Sequence, residues 1–157
     1  MKLYHGSTID IAKVDLALSK PNKDFGRAFY LSDDRQQALE MAQFRAEFEE
    51  SEPVVNVYEF DESLFQEFRY KRFEAYTEEW AHFVYDHRTE PHGLTLHDYD
   101  IVYGPIANDR VGAQIARYKQ GYITFNEFLR RIQYIKGITF QYAFCTQRAI
   151  DKLIKVK

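Results

Sequence analysis

The sequence predicts an α+β fold in a single domain spanning residues 1–157. Three observations carry that expectation. Short apolar runs bounded by polar residues or glycine have the length and the β-branched and aromatic content of strands; Val54-Val55-Asn56-Val57-Tyr58-Glu59-Phe60 is the clearest. Other stretches have helical spacing and start on recognisable capping residues. No internal repeat, low-complexity segment or domain linker interrupts the 157 residues, a length that suits one domain burying about two-thirds of its unfolded surface.

Taken in order, residues 2–5 read as a first strand, within Lys2-Leu3-Tyr4-His5-Gly6-Ser7. Residues 7–23 form a connection carrying Lys13, Lys20 and Lys23. Asp24-Phe25-Gly26-Arg27-Ala28-Phe29-Tyr30-Leu31-Ser32 reads as a buried strand, with Gly26 at its start leaving room for backbone or a ligand. Ser32-Asp33-Asp34 opens a helix of about four turns, with Asp33 and Gln36 in a capping-box pattern. Its expected apolar stripe is Ala38, Met41, Ala42, Phe44 and Phe48, interrupted by Arg45. The strand at 54–60 follows. Thr77-Glu78-Glu79-Trp80 starts a helix with acids where the helix dipole favours them, and Pro91-His92-Gly93 is a break. Residues 100–106 form a strand stopped by Gly104-Pro105. Val111, Ile115 and Tyr118 mark a helix closed by Gly121, Thr124 and Glu127 box the start of another, residues 138–145 are a late strand, and Thr146 caps a last helix.

Composition narrows the function classes. A net charge of −3 gives no global attraction to nucleic acid or to an anionic membrane. No apolar run reaches the roughly 18 residues that span a bilayer, and Met1 leads straight into a strand with no signal peptide. The single cysteine, Cys145, excludes an internal disulfide and fits a reducing cytosol, so the expected location is cytoplasmic. The 26 aromatic residues (13 Phe, 12 Tyr, 1 Trp) suit either a ring-lined pocket or an aromatic core. Gly-x-Gly-x-x-Gly and Walker motifs are both missing, which argues against Rossmann hydride transfer and P-loop chemistry. His82, His87, His92 and His97 recur at an interval that puts neighbours on different helix faces, and no metal-site motif accompanies them. Phe68-Arg69-Tyr70-Lys71-Arg72-Phe73 interleaves rings with cations, as an edge strand with a solvated basic face does and as single-strand nucleic-acid binders do.

His5-Gly6 and Gly26-Arg27-Ala28-Phe29-Tyr30-Leu31, in this order, resemble the NAD-holding motifs of the diphtheria-toxin and poly(ADP-ribose) polymerase branch of the ADP-ribosyltransferases. Together with Asp24-Phe25-Gly26, Tyr103-Gly104-Pro105-Ile106-Ala107-Asn108-Asp109 and Gln141-Tyr142-Ala143-Phe144-Cys145-Thr146, most of residues 1–153 resembles a small bacterial family of ADP-ribosyltransferase-like proteins. The resemblance implies a split mixed β-sheet core with peripheral helices, and transfer of ADP-ribose from NAD to a macromolecular acceptor with release of nicotinamide. It implies that His5 bonds a ribose hydroxyl, that Gly6 backbone holds the nicotinamide amide, with Ser7 and Gly26 beside it, and that Tyr30 stacks on nicotinamide. Arg27 either reaches pyrophosphate or is a solvated strand residue, and Ser32 is better read as a cap than as a ligand contact. The related enzymes carry a catalytic glutamate on a late strand; here Gln141 matches that position, and its amide accepts the same hydrogen bond without the charge. Asp109 is read first as a helix cap and second as a reserve substrate-orienting group. The same resemblance implies a toxin-like character and an antitoxin as partner, as members of such families often have. Two other readings stand beside it: a non-catalytic NAD or ADP-ribose-binding module, and a nucleic-acid-binding protein acting through residues 68–73.

Overall fold

The computed structural model describes residues 1–134 and 137–156. Its strands are β1 (Lys2–Ser7), β2 (Phe29–Leu31), β3 (Val54–Glu59), β4 (Tyr70–Arg72), β5 (Ile101–Pro105), β6 (Phe140–Phe144) and β7 (Ile154–Lys155). The helices are α1 (Arg35–Glu49), α2 (Glu78–Thr89), α3 (Val111–Lys119), α4 (Phe125–Arg131) and α5 (Gln147–Ile150). The fold is α+β. One sheet runs β1-β3-β7 and is antiparallel; the other runs β2-β6-β5-β4 and is mixed, because only the β4–β5 pair is parallel. Among the described residues the sheets meet at one bridge, where Tyr4 and Ser32 exchange two backbone hydrogen bonds of 2.8 Å.

Alternation along β5 and β6 divides the core in two. Val102 and Ala143 face one cluster with Phe25, Trp80 and Phe128; Ile101, Tyr142 and Phe144 face another with Leu3, Phe29, Tyr58 and Phe60. The first cluster is sealed by the α2 helix, whose Trp80 indole donates to the Pro105 carbonyl at 3.0 Å. Thr77 caps α2 and Thr124 and Glu127 box the start of α4, as the sequence predicts. Residues 68–73 contain β4, an edge strand.

Three local expectations are corrected. Asp24-Phe25-Gly26 is a tight turn, not the start of a strand: Gly26 has φ +89°, its N–H donates to the Lys23 carbonyl at 3.0 Å, and only Phe29–Leu31 is extended. The turn drops the Phe25 ring onto Gly104, where a Cβ would lie 2.9 Å from the ring. The cap of α1 is Asp34, which accepts from the Gln36 N–H at 2.9 Å, one residue beyond Asp33. Asp109 does not cap α3: Arg110 holds the cap position without a side-chain cap bond, and ahead of it Asn108 Oδ1 accepts from the Arg110 N–H at 3.0 Å, while its amide donates to the carbonyls of Arg131 and Gln133.

The α1 helix departs most from its sequence pattern. Its buried face is Ala38, Ala42 and Ala46, spaced by four, while Met41, Phe44 and Phe48 face solvent. Gly6 is the reason. A Cβ on Gly6 would lie 2.1 Å from the Ala38 carbonyl oxygen and 2.8 Å from the Ala42 nitrogen. The helix lies directly on the backbone of β1, and only small side chains fit between them.

Candidate functional site

The turn at Asp24–Gly26 sits on the face of β2 and β6 that carries Tyr30 and Gln141. Tyr30 pairs with Ala143, and Gln141 lies two residues before Ala143, so both side chains leave the sheet on one side. Asp24 is 6% exposed and joins three elements. Its Oδ1 accepts from the Arg88 guanidinium at the end of α2, from Nε at 2.8 Å and from Nη2 at 2.6 Å. Its Oδ2 accepts from the Gln141 Nε2 at 3.3 Å. A carboxylate only accepts hydrogen bonds, so this contact fixes which end of the Gln141 amide is nitrogen. The Gln141 Oε1 is left as the free acceptor, without a protein partner among the described residues.

Tyr30 lies beneath the turn. Its hydroxyl donates to the Gly26 carbonyl at 2.7 Å and accepts from the Phe25 N–H at 2.9 Å. Burial, reinforced by the Asp24 charge, pushes the phenol well above its usual range, so it remains a neutral donor. Both its hydrogen-bonding roles are filled within the turn.

His5 is on β1, across the seam between the sheets. Its Nδ1 donates to the Tyr30 carbonyl at 2.6 Å, and its ring lies on Phe29, with centroids 4.3 Å apart. Phe29 and Tyr30 are adjacent on one strand, so the His5 and Tyr30 rings stand on opposite faces. They do not face one another, as shared contact with one nicotinamide ribose would require. Burial lowers the His5 pKa to about 4, so the ring is neutral near pH 7 and its Nε2 is an acceptor.

The remaining expected contacts are held within the protein. Gly6 admits α1, as described. Ser7 is buried, and its Oγ accepts from the Ile9 N–H at 3.4 Å. The room beside Gly26 is taken by neighbours: a Cβ there would lie 3.0 Å from the Thr95 side chain and 3.1 Å from the His87 ring. The Arg27 N–H donates to Thr95 Oγ1 at 3.3 Å, and its guanidinium donates to the Ser19 carbonyl. In the 68–73 segment, Arg69 pairs with Asp98, Lys71 with Glu79 and Arg72 with Glu74. Among the described residues no group of three His, Cys, Asp or Glu is placed to hold a metal ion. No helix among them is long and apolar enough to cross a membrane.

A clamp covers the turn. Asn22, at φ 61°, donates to the carbonyls of His87 and Glu90 and so closes the C-terminal end of α2. His87 donates from Nδ1 to the Phe83 carbonyl at 2.8 Å and accepts the Leu96 N–H at Nε2 at 2.9 Å. His97 donates from Nε2 to the Phe25 carbonyl at 2.9 Å and accepts the Tyr99 N–H at Nδ1 at 2.9 Å. Burial lowers both pKa values. A cavity of about 410 Å³ opens beside the clamp, between Arg69, Phe83, His97 and Tyr99; another of about 170 Å³ lies between Ser32, Asp34, Tyr103 and Phe140, next to Gln141 in the chain. His5, Tyr30 and Gln141 line neither.

Arg88 was not legible as a site residue, and Asp24 showed only as part of a motif. Their partnership spans 64 positions of sequence and follows no local spacing. The family described as "Protein of unknown function (DUF3990)" matches residues 1–155. No curated protein and no solved structure matches the chain.

Proposed function

The chain belongs to the DUF3990 family, and for this member we propose an NAD-dependent mono-ADP-ribosyltransferase, built on an ADP-ribosyltransferase-like split sheet, that transfers ADP-ribose to a macromolecular acceptor. The observation that carries this reading is the Arg88–Asp24–Gln141 chain. Asp24 holds the Gln141 amide by its nitrogen, which leaves Oε1 to accept a hydroxyl of the nicotinamide ribose. A buried carboxylate next to that amide also supplies, through the hydrogen bond, negative potential that the neutral side chain lacks. His5 stays outside this contact, because its ring lies on Phe29, on the face opposite Tyr30 and Gln141. The bond from the nicotinamide nitrogen to the ribose carbon breaks with its electron pair leaving on nicotinamide. The acceptor nucleophile then attacks the cationic sugar carbon and loses its proton. Positioning and electrostatics supply the rate, since no protein nucleophile is needed.

A second reading, a module that binds NAD or ADP-ribose without turnover, is favoured by one observation: Arg88 offsets the Asp24 charge and the Tyr30 hydroxyl is already used. Calorimetry with NAD, run beside a nicotinamide-release assay and transfer of labelled ADP-ribose to lysate protein or nucleic acid, separates the two. Binding with release supports the transferase, binding alone supports the module, and the absence of both binding and release overturns the NAD reading. In the transferase, Gln141→Ala keeps NAD affinity within a few-fold and lowers release at least about tenfold, because a contact that tightens in the transition state acts on turnover. An antitoxin-like partner would sit outside this chemistry, in the cytoplasm where NAD is at hand.

A further inference from the structure

The α1 helix is turned the wrong way round for an ordinary surface helix. Its buried face is alanine, while Met41, Phe44 and Phe48 form an outward ridge at i, i+3 and i+7, exposed by 45%, 68% and 86%. Scattered exposed apolar residues need no explanation, but three large ones aligned on one helix form a patch. Charge surrounds the ridge. Glu40 and Glu47 run along one flank, and Glu49, Glu50 and Glu52 crowd the C-terminal end. Arg35 and Arg45 are the cations of this stretch, and among the described residues no ion pair involves α1. Its last turn contains no basic residue, so glutamates stand where the helix dipole is already negative. Glu50 ends the helix at φ 52°, a conformation that favours glycine. Helix stability alone would select neither feature.

We propose that the α1 ridge is a docking surface for a protein partner that presents a cationic amphipathic segment, its apolar side on Met41, Phe44 and Phe48 and its lysines or arginines against Glu40, Glu47 and the glutamates at the helix end. The charge selects this occupant over a second copy of the chain, because two such acidic helices repel. The surface is separate from the Asp24–Gln141 cluster, and its occupancy does not depend on NAD.

The probe is a synthetic amphipathic peptide of leucine and lysine, with a leucine and glutamate peptide of the same pattern as its control. In calorimetry with the full chain, the lysine peptide binds at least about tenfold tighter than the glutamate peptide, and its affinity falls as salt rises. Phe44→Ser with Phe48→Ser weakens it by about tenfold or more while the thermal midpoint stays put, since both side chains are solvent-facing. Should the double variant melt early, Glu40→Lys with Glu47→Lys makes the same test through charge and weakens binding while the fold is kept. Equal binding of the two peptides, or binding that neither pair of substitutions changes, overturns the proposal. So does light scattering that shows a dimer of the free chain dissolved by Phe44→Ser with Phe48→Ser, which assigns the ridge to a second copy.

Discussion

Gln141 donates to a carboxylate 3.3 Å away, so replacing it by the glutamate of the resembling enzymes does not simply add a charge. Gln141→Glu places two carboxylates side by side, and like charges at that distance raise the pKa of one of them. A raised folded pKa contributes stability below the unfolded value of about 4.3 and loses it as pH rises through the folded value. Relative to wild type, the variant's thermal midpoint therefore falls on going from pH 4 to pH 8, and its nicotinamide release stays low at neutral pH. Asp24→Asn with Gln141→Glu removes the repulsion, so the fall between pH 4 and pH 8 disappears, while the midpoint stays below wild type because Arg88 loses its charged partner. Equal midpoints for the single variant and wild type across that range would mean that the Asp24 contact is not made. At this scale the sequence displays residue types and local motifs, so His5, Tyr30 and Gln141 were legible as candidates. What each side chain touches depends on chain reversal: the Gly26 turn brings the Tyr30 hydroxyl back to the turn's own backbone, where the motif suggested an open stacking ring.

Among the elements, the clamp over the turn consists of two histidines that each donate to one backbone group and accept from another. Protonating either ring converts its accepting nitrogen into a donor aimed at an N–H, of Leu96 for His87 and of Tyr99 for His97. Their folded pKa values, like that of His5, lie below the ordinary 6.5. Above that value the folded and unfolded chains are equally neutral at these rings, and stability is full. As pH falls below it, the unfolded chain takes up protons first, and stability drops progressively towards pH 4. Amide exchange should show Leu96 and Tyr99 losing protection at pH 5 before the β5 and β6 strands do; uniform protection would exclude local opening of the clamp. Where α1 meets β1, Gly6→Ala has no room against the Ala38 carbonyl, and a loss of about 3 kcal/mol in urea unfolding is expected. The helix caps at Thr77 and Thr124 were legible because capping chemistry is local. The buried side of α1 was not, because phenylalanine outweighs alanine in any hydrophobic pattern, and the deciding constraint is a glycine on another strand.

For the molecule as a whole, a ligand that binds only the folded state stabilises it by mass action. NAD at a hundred times its dissociation constant adds about 2.7 kcal/mol, worth roughly 5–10 °C in thermal midpoint for a domain of this size. Scanning calorimetry with and without millimolar NAD checks this, and an unchanged midpoint counts against every NAD reading. The α+β class was legible from strand-like and helix-like stretches. The division into two sheets was not legible from the residue pattern, and a split core was implied only by the resemblance, since pairing partners lie far apart in the chain and β7 covers only two residues. That last pairing bears on synthesis. Val54–Glu59 is an apolar, strand-forming segment whose inner edge is taken by β1, while β7 reaches its outer edge only at Tyr58 and Glu59, helped by the Val156 N–H on the Val57 carbonyl at 2.9 Å. On the ribosome β3 emerges long before β7 exists, so that edge waits uncovered through the making of most of the second sheet, open to the same segment of a neighbouring nascent chain. The expected outcome is that slower translation, which lengthens the time this strand stays bare, lowers soluble yield at an unchanged thermal midpoint; a yield indifferent to translation rate counts against it.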